Sequence, residues 1–357
     1  MPEYYFSLPP FDDLNPTQNQ AVIDDNAIAL SGGPGTGKSV VSIFRHILNH
    51  TRETPINSQL ITFTTSLAYY LTRCCRNQNV NAATNVASSQ SRWNRNRITE
   101  IIHDEAQDLA LSFNSNLKNI CNKISYGADN QQLIRGNARN PDGSYNLNNC
   151  SPEENLIQEF PNNSLHTLAK NYRNSKRILQ FAKRLLTQAV IPHELIDRCT
   201  RIGEFPRLII KNNNQQLNQT VLQIVNQFAQ NAATNIAILV PLENVPFGGG
   251  ETATADYYYD LLTQAGIDCS IYTQRRKGNV EIKNVHITTF KSAKGLEFDV
   301  VILPEFHLIN NTFRIVDWRD WYVGITRTKS NLFMISNPAF NNLPHDGTQK
   351  LIDKVIL

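Results

Sequence analysis

The segment SGGPGTGKSVV, residues 31–41, restricts this chain more than any other stretch. Gly32, four further residues and then Gly37-Lys38-Ser39 fit the pattern G-x-x-x-x-G-K-[ST]. An apolar run, residues 27–30, leads in, and Val40, Val41, Phe44, Ile47 and Leu48 follow at helical spacing. Strand, loop and helix in that order are what a phosphate-binding loop requires. Gly32, Gly33, Gly35 and Gly37, with Thr36 among them, let the backbone turn so that successive N–H groups face an anion. The start of the following helix adds partial positive charge. Lys38 is expected to neutralise β- and γ-phosphates, and Ser39 to hold Mg²⁺.

A chain of 357 residues suggests two or three domains with sizeable cores. The net charge of +3 gives no strong global attraction to nucleic acid, so any such surface must be a local patch. Cys74, Cys75, Cys121, Cys150, Cys199 and Cys269 make no C-x-x-C pair or His-rich cluster, which reads as reduced thiols in a cytoplasmic protein without a zinc site. The N-terminal stretch is acidic and broken by prolines, unlike a signal peptide, and no apolar run approaches membrane length, so no membrane partner is expected.

β-type runs alternate with helical-period segments, the pattern of parallel α/β architecture. Strands are expected at residues 27–30, 60–64, 98–103 and 123–126, and in a second series at 207–211, 236–240, 286–289, 300–303 and 332–335. Ile178, Ala182, Leu185 and Ala189 form one helical stripe, and Leu217, Val221, Ile224, Val225 and Phe228 another; both read as core packing. The polar segment 136–155 is the expected connection between two units, placing the domains at 1–140 and 141–357. A second loop is expected over 244–256.

IIHDEAQDL, residues 101–109, places two acids at the end of an apolar strand. Asp104 is suited to bind Mg²⁺ and Glu105 to activate an attacking water. His103, within the apolar run, reads as a packed histidine rather than a catalytic one.

With these two motifs, the chain resembles a superfamily 1 helicase of the UvrD/Rep-like group. LNPTQNQAV, LITFTTSLA, DEAQD, YGADNQQLI, LAKNYRNSKRIL, TTFKSAKGLEFDVVIL and WYVGITRTK resemble motifs of that family in their family order. The resemblance implies two RecA-like, parallel-sheet domains with ATP in the cleft between them. It implies that Gln18 reads adenine, Tyr172 stacks on it, Glu297 binds the ribose and Gly295 lets the backbone approach the nucleotide. Gln132 would sense the γ-phosphate, and Arg173 and Arg327 would reach it from the second domain. ATP hydrolysis would then require the cleft to close. Phe63, Thr64 and Thr289 fall in segments that touch a single strand in the family. Lys291 stands where relatives often have histidine and is expected to contact a phosphate.

The departures concern what the motor would act on. Members that unwind DNA usually carry large inserted domains, which this chain lacks; it resembles a stripped-down core. After the coupling glutamine it reads QQLIRGNARN, without the usual base-stacking aromatics. SRWNRNR, residues 91–97, interleaves Arg92, Arg95 and Arg97 with Trp93 and is a candidate strand-contacting patch, or else a solvated basic turn. Tyr257-Tyr258-Tyr259 reads as alternating burial rather than a stacking platform. The expected activity is an Mg²⁺- and ATP-dependent translocase or helicase on single-stranded nucleic acid, DNA favoured. The alternative is an ATP-gated subunit that switches a partner protein within a larger complex.

Overall fold

The computed structural model describes residues 4, 8–78, 86–89, 95–133, 138–140, 142–244, 251–273, 281–310, 316–338, 340 and 351–356. Its internal contacts divide the chain into two units, Phe6–Lys170 and Asn171–Leu357, the latter joined by Met1–Tyr5.

In the first unit, β1 (Ile28–Ser31), β2 (Ser58–Thr62), β3 (Val86–Ser88), β4 (Glu100–Asp104), β5 (Ile124–Gly127) and β6 (Ser164–Thr167) form a sheet in the order β3-β2-β4-β5-β1-β6. These pairings are parallel. Parallel neighbours need crossover connections, which cover both faces and leave central strands apolar on both sides. Ile28 and Leu30 of β1 accordingly face one core with Val41 and Phe44 of helix Lys38–Thr51 and Ala21 and Val22 of helix Pro16–Ile23. Ala29, between them, faces the opposite core with Ile61, Ile101, Ile124 and Leu156.

In the second unit, β7 (Arg207–Ile210), β8 (Ile236–Val240), β9 (Ser270–Tyr272), β10 (Val285–Thr289), β11 (Phe298–Leu303), β12 (Thr328–Ser336) and β13 (Asp353–Ile356) form a second parallel sheet in the order β13-β7-β12-β11-β8-β10-β9. Helix Asn214–Ala229, capped by Asn213, lays Leu217, Val221, Ile224 and Val225 on Ile236, Ile238 and Phe333. Both expected helical stripes pack as cores, although helix Lys176–Leu185 stops early and buries Leu186 beyond its end. Tyr258 is fully buried in helix Ala255–Gln264, in agreement with the packing reading of the tyrosine run.

The nine strands expected from the sequence are present with small shifts at their ends. The other four, β3, β6, β9 and β13, are the outermost strands of the two sheets. An edge strand is enclosed on fewer sides and so lacks a continuous apolar run. β6 reads Ser-Leu-His-Thr and leaves Leu165 59% exposed.

β6 also moves the division of the chain. It pairs with β1 over Ile28–Ser31, so residues 141–170 belong to the first unit, whereas the sequence placed the boundary at 140. The described part of segment 136–155 is likewise held within that unit: Leu111 N–H donates to Leu147 O at 2.9 Å and Ser151 N–H to Gln107 O at 3.1 Å. Tyr4 binds the second unit through its N–H on Ile282 O, at 3.1 Å. Among the described residues no disulfide joins any of the six cysteines. Among the described residues no helix is long and apolar enough to cross a membrane.

One buried ion pair joins four elements of the first unit. Arg45, on the helix after the phosphate-binding pattern, donates from Nε to Glu100 Oε1 of β4 at 2.7 Å. Asn49 and Ser125 donate to the same carboxylate at 2.8 and 2.6 Å. The Arg45 guanidinium also donates to the carbonyls of Ala21, Val22, Asp24 and Asn26, filling acceptors left at the end of helix Pro16–Ile23. Both side chains are essentially inaccessible, so the pair survives burial only because its polar atoms are matched. Glu100→Ala should destabilise the first unit by about 3–5 kcal/mol, by leaving a buried guanidinium without its counter-charge. Denaturant unfolding followed by a probe in that unit would show a lowered midpoint.

Candidate nucleotide site

β1, β4 and β5 run parallel and side by side, so Ser31, Asp104 and Gly127 end at one edge of the sheet. The turn after β1 carries Gly32, Gly33, Gly35, Thr36 and Gly37 into helix Lys38–Thr51. Two of its glycines have no substitute. A Cβ on Gly32 would lie 2.4 Å from Leu168 O, and one on Gly37, at φ +94°, 2.4 Å from Gln18 Nε2. Gln18 is buried and holds the loop from outside. Its Nε2 donates to Thr36 O at 3.1 Å, and its Oε1 accepts from Asn15 N–H at 3.1 Å in a capping box. Thr36 Oγ1 closes the turn on Gly33 O at 2.8 Å.

Lys38 stands at the helix start, where a cation meets the unfavourable end of the helix dipole. Its Nζ is held by the carbonyls of Gly32 and Gly33 and lies 3.7 Å from Asp129 Oδ2. Ser39 Oγ donates to Asp104 Oδ2 at 2.6 Å, and Ser42 Oγ to Asp104 Oδ1 at 3.4 Å. Burial and then the adjacent Glu105 charge raise the Asp104 carboxyl, against the pull of Ser39 and Lys38. A serine hydroxyl and a buried carboxylate oxygen in contact are the donor set that suits an oxygen-loving divalent cation, so these residues fit Mg²⁺. Glu105 sits at φ +62°, a left-handed conformation that a glutamate holds only when its surroundings enforce it. Gln107 Nε2 donates to Glu105 Oε2 at 2.6 Å.

Gln132 Nε2 donates to Asp129 Oδ2 at 2.7 Å, and the same oxygen faces Lys38. Asp129 thus links Lys38 to Gln132. The sequence reading did not single it out, although its place in YGADNQQLI, three residues before Gln132, was the available signal.

His103 is fully buried and its Nδ1 lies 2.6 Å from Asn114 Oδ1. Asn114 Nδ2 donates to Ala106 O at 3.1 Å and to Ser151 Oγ at 2.8 Å, so His103 braces the turn that follows Asp104-Glu105. This is the packed role expected for it.

In the second unit, Arg173 Nε donates to Glu297 Oε2 at 2.9 Å, and Lys329 Nζ lies 3.8 Å from Glu297 Oε1. Burial would raise the Glu297 carboxyl, but Arg173, Lys329 and Arg327 together outweigh it and hold it below the usual range. Arg327 is buried and donates from Nη1 to Leu296 O at 3.3 Å, while Gly295 turns with φ +84° just before. Tyr172 is half-buried. Asn174, which the sequence reading passed over, ties these segments together. Its Nδ2 donates to Thr326 O and Thr328 O at 3.0 and 2.7 Å, on either side of Arg327. Asn171 Oδ1 accepts from the N–H groups of Arg173 and Asn174 at 3.0 and 2.8 Å. The NYR and VGITR segments are therefore held against each other, with SAKGLEF beside them.

The residues expected to meet nucleic acid are only partly placed. Thr64 caps helix Thr65–Asn77 through Leu67 N–H at 3.1 Å, with half-buried Phe63 before it. Thr289 ends β10 and its Oγ1 lies 3.2 Å from Ser292 Oγ, with half-buried Lys291 between them. Arg92 and Trp93 lie outside the described residues.

Burial pushes the imidazoles of His103 and His286 down to about 4 and about 3. The folded state therefore refuses protons that the unfolded chain binds near pH 6.5. Stability should fall as pH drops from about 6.5 towards 4, with a slope of up to roughly 1.4 kcal/mol per pH unit for each such histidine. Imidazole NMR signals of both should stay at their neutral positions down to pH 5, and urea midpoints should be lower at pH 5 than at pH 7.

Residues 258–338 match the UvrD-like helicase C-terminal domain family. No curated protein matches the sequence. Among solved structures, the chain is similar to the C-terminal domain of a possible DNA helicase from Lactobacillus plantarum, at 19% identity and a TM-score of 0.36, over 51% of this chain and 98% of that one. It is also similar to the arterivirus nonstructural protein 10 helicase, at 15% identity and a TM-score of 0.40, over 92% of this chain and 62% of that one. The PRRSV helicase gives 15% identity and a TM-score of 0.41, over 93% of this chain and 57% of that one. This chain thus spans less than two thirds of either viral helicase. The matched region takes in both SAKGLEF and VGITR, so residues 258–338 are similar to the C-terminal domain of UvrD-like helicases.

Proposed function

We propose that this chain hydrolyses Mg-ATP and uses the cycle to move along single-stranded nucleic acid, with DNA favoured. The observation that carries the reading is the Ser39–Asp104 contact at 2.6 Å beside Lys38, at the end of three parallel strands. The loop amides and Lys38 would hold the β- and γ-phosphates, and Ser39 and Asp104 would hold the metal. When bound, Mg²⁺ neutralises charge that develops between those phosphates. Glu105, fixed by Gln107, would take a proton from the attacking water. Gln132 would report the γ-phosphate to the rest of the unit through Asp129. Gln18 and Tyr172 would receive the adenine, Glu297 would bind the ribose, and Gly295 would let the backbone approach the nucleotide.

Arg173 and Arg327 would stabilise the transferring phosphoryl group. They belong to one unit, whereas Lys38, Asp104 and Glu105 belong to the other. On this reading turnover requires the units to close on the nucleotide, which converts ATP state into motion. Phe63, Thr64, Thr289 and Lys291, with Arg92 and Trp93, would follow the strand.

A second reading, an ATP-gated subunit that switches a protein partner, is favoured by one feature. Between helix Thr65–Asn77 and β4 the described chain forms only the short strand Val86–Ser88, in place of an inserted domain.

Steady-state ATP hydrolysis with and without single-stranded DNA or RNA, at two salt concentrations, separates the two. Stimulation that weakens steeply with salt supports the motor. A basal rate indifferent to nucleic acid but raised by a protein partner supports the switch, and no hydrolysis at all overturns both. Glu105→Gln should retain ATP binding and lower kcat by about 10²- to 10⁴-fold, and Arg327→Ala should retain binding and lower kcat by about 10³- to 10⁵-fold. Lys38→Ala should weaken binding as well. Normal turnover by Glu105→Gln would remove Glu105 from the role of base.

A further inference from the structure

We infer that Glu153 is a positioning residue for this site, joining the base of the phosphate loop to the turn that carries Gln132. The inference rests on the ATPase reading above. Glu153 opens helix Glu153–Glu159, in a segment where the sequence showed only polar connection. Its Oε2 accepts from Ser31 Oγ at 2.8 Å, and Ser31 is the last residue of β1, directly before Gly32. Its Oε1 accepts from Asn130 N–H at 3.1 Å, and Asn130 begins the single turn Asn130–Gln132. Asn130 Oδ1 returns the contact by accepting from Glu153 N–H at 2.9 Å. One carboxylate thus fixes the spacing of two segments about a hundred positions apart in the chain, and the reciprocal cap removes its freedom to rotate.

The contacts close a ring. From Ser31 it passes through Glu153 to Asn130, along the turn to Gln132, through Asp129 to Lys38, and back to Gly32 by the Lys38 ammonium. Lys38 and Gln132 are the two groups required to meet the same phosphate, so the ring sets their separation. A displacement of about 1 Å at such a site can cost about 10²-fold in rate. Burial raises the Glu153 carboxyl, while the Ser31 and Asn130 hydrogen bonds oppose that rise. Its side chain walls a cavity of about 80 Å³ with Tyr126, Ile157, Leu165 and Thr167. Truncation therefore widens an existing space rather than opening one inside a closed core.

Glu153→Ala and Glu153→Gln test this in the full chain. The expected result for Glu153→Ala is a kcat for ATP lowered about 10- to 100-fold, with KM within threefold of wild type. Faster hydrogen exchange at the Asn130 amide should accompany it. Glu153→Gln keeps the length and one acceptor and should recover most of the lost rate. Thermal melts establish the folded fraction, and kcat is expressed per folded molecule. A kcat within twofold of wild type in both variants overturns the inference while leaving the ATPase reading intact. So does a loss wholly explained by unfolding. Absence of turnover in the wild type overturns the ATPase reading and this inference with it, whatever the Asn130 exchange shows.

Discussion

Parallel strand pairing is the constraint on which the first unit depends. Because β1, β4 and β5 run in one direction, whatever follows them in sequence emerges at one edge. The glycine turn after β1, Asp104 at the end of β4 and the Asp129–Gln132 turn after β5 therefore meet without a long loop to carry any of them. Ligands in open α/β sheets collect at that edge for the same reason. In the second unit the arrangement is different. Glu297 and Arg327 directly precede β11 and β12, while Thr289 closes β10. Since those strands are parallel, residues 290–297 must cross from one edge of the sheet to the other. That short stretch reads FKSAKGLE, and its burial from Ser292 to Leu296 shows how firmly the crossing is packed.

Charge placement follows a consistent rule. Arg45 and Glu100 are buried because every strong donor and acceptor between them finds a partner. They hold the phosphate-loop helix to the strand that ends in Asp104. At the site itself the carboxylates lie closer to one another. Asp104 has its carboxyl raised by burial and by Glu105, and Glu105 occupies a backbone conformation that costs energy. The stability of the frame underneath offsets that local strain.

Much of the architecture could be read from residue order. The nine interior or near-interior strands announce themselves because both of their faces are apolar. The four edge strands do not, and β6 in particular carries a histidine and a threonine where an interior strand has aliphatic residues. Missing β6 shifted the expected boundary, since its pairing with β1 brings residues 164–167 into the first sheet. The glycine-rich and acidic motifs could be located in the sequence because each is a run of adjacent residues: Lys38 beside Ser39, and Asp104 beside Glu105. Asp129, Asn174 and Glu153 were not, because each acts through contacts with residues remote in the chain.

Sequence alone sufficed for the class of fold and the order of the UvrD-like motifs, since local backbone demands and the period of apolar residues are written in adjacent positions. Tertiary structure decided which carboxylate faces which lysine, that Asn174 clasps both sides of Arg327, and that Glu153 bridges Ser31 and Asn130. Those pairings depend on strand order and on the separation of strand ends in space, quantities that no spacing along the chain contains.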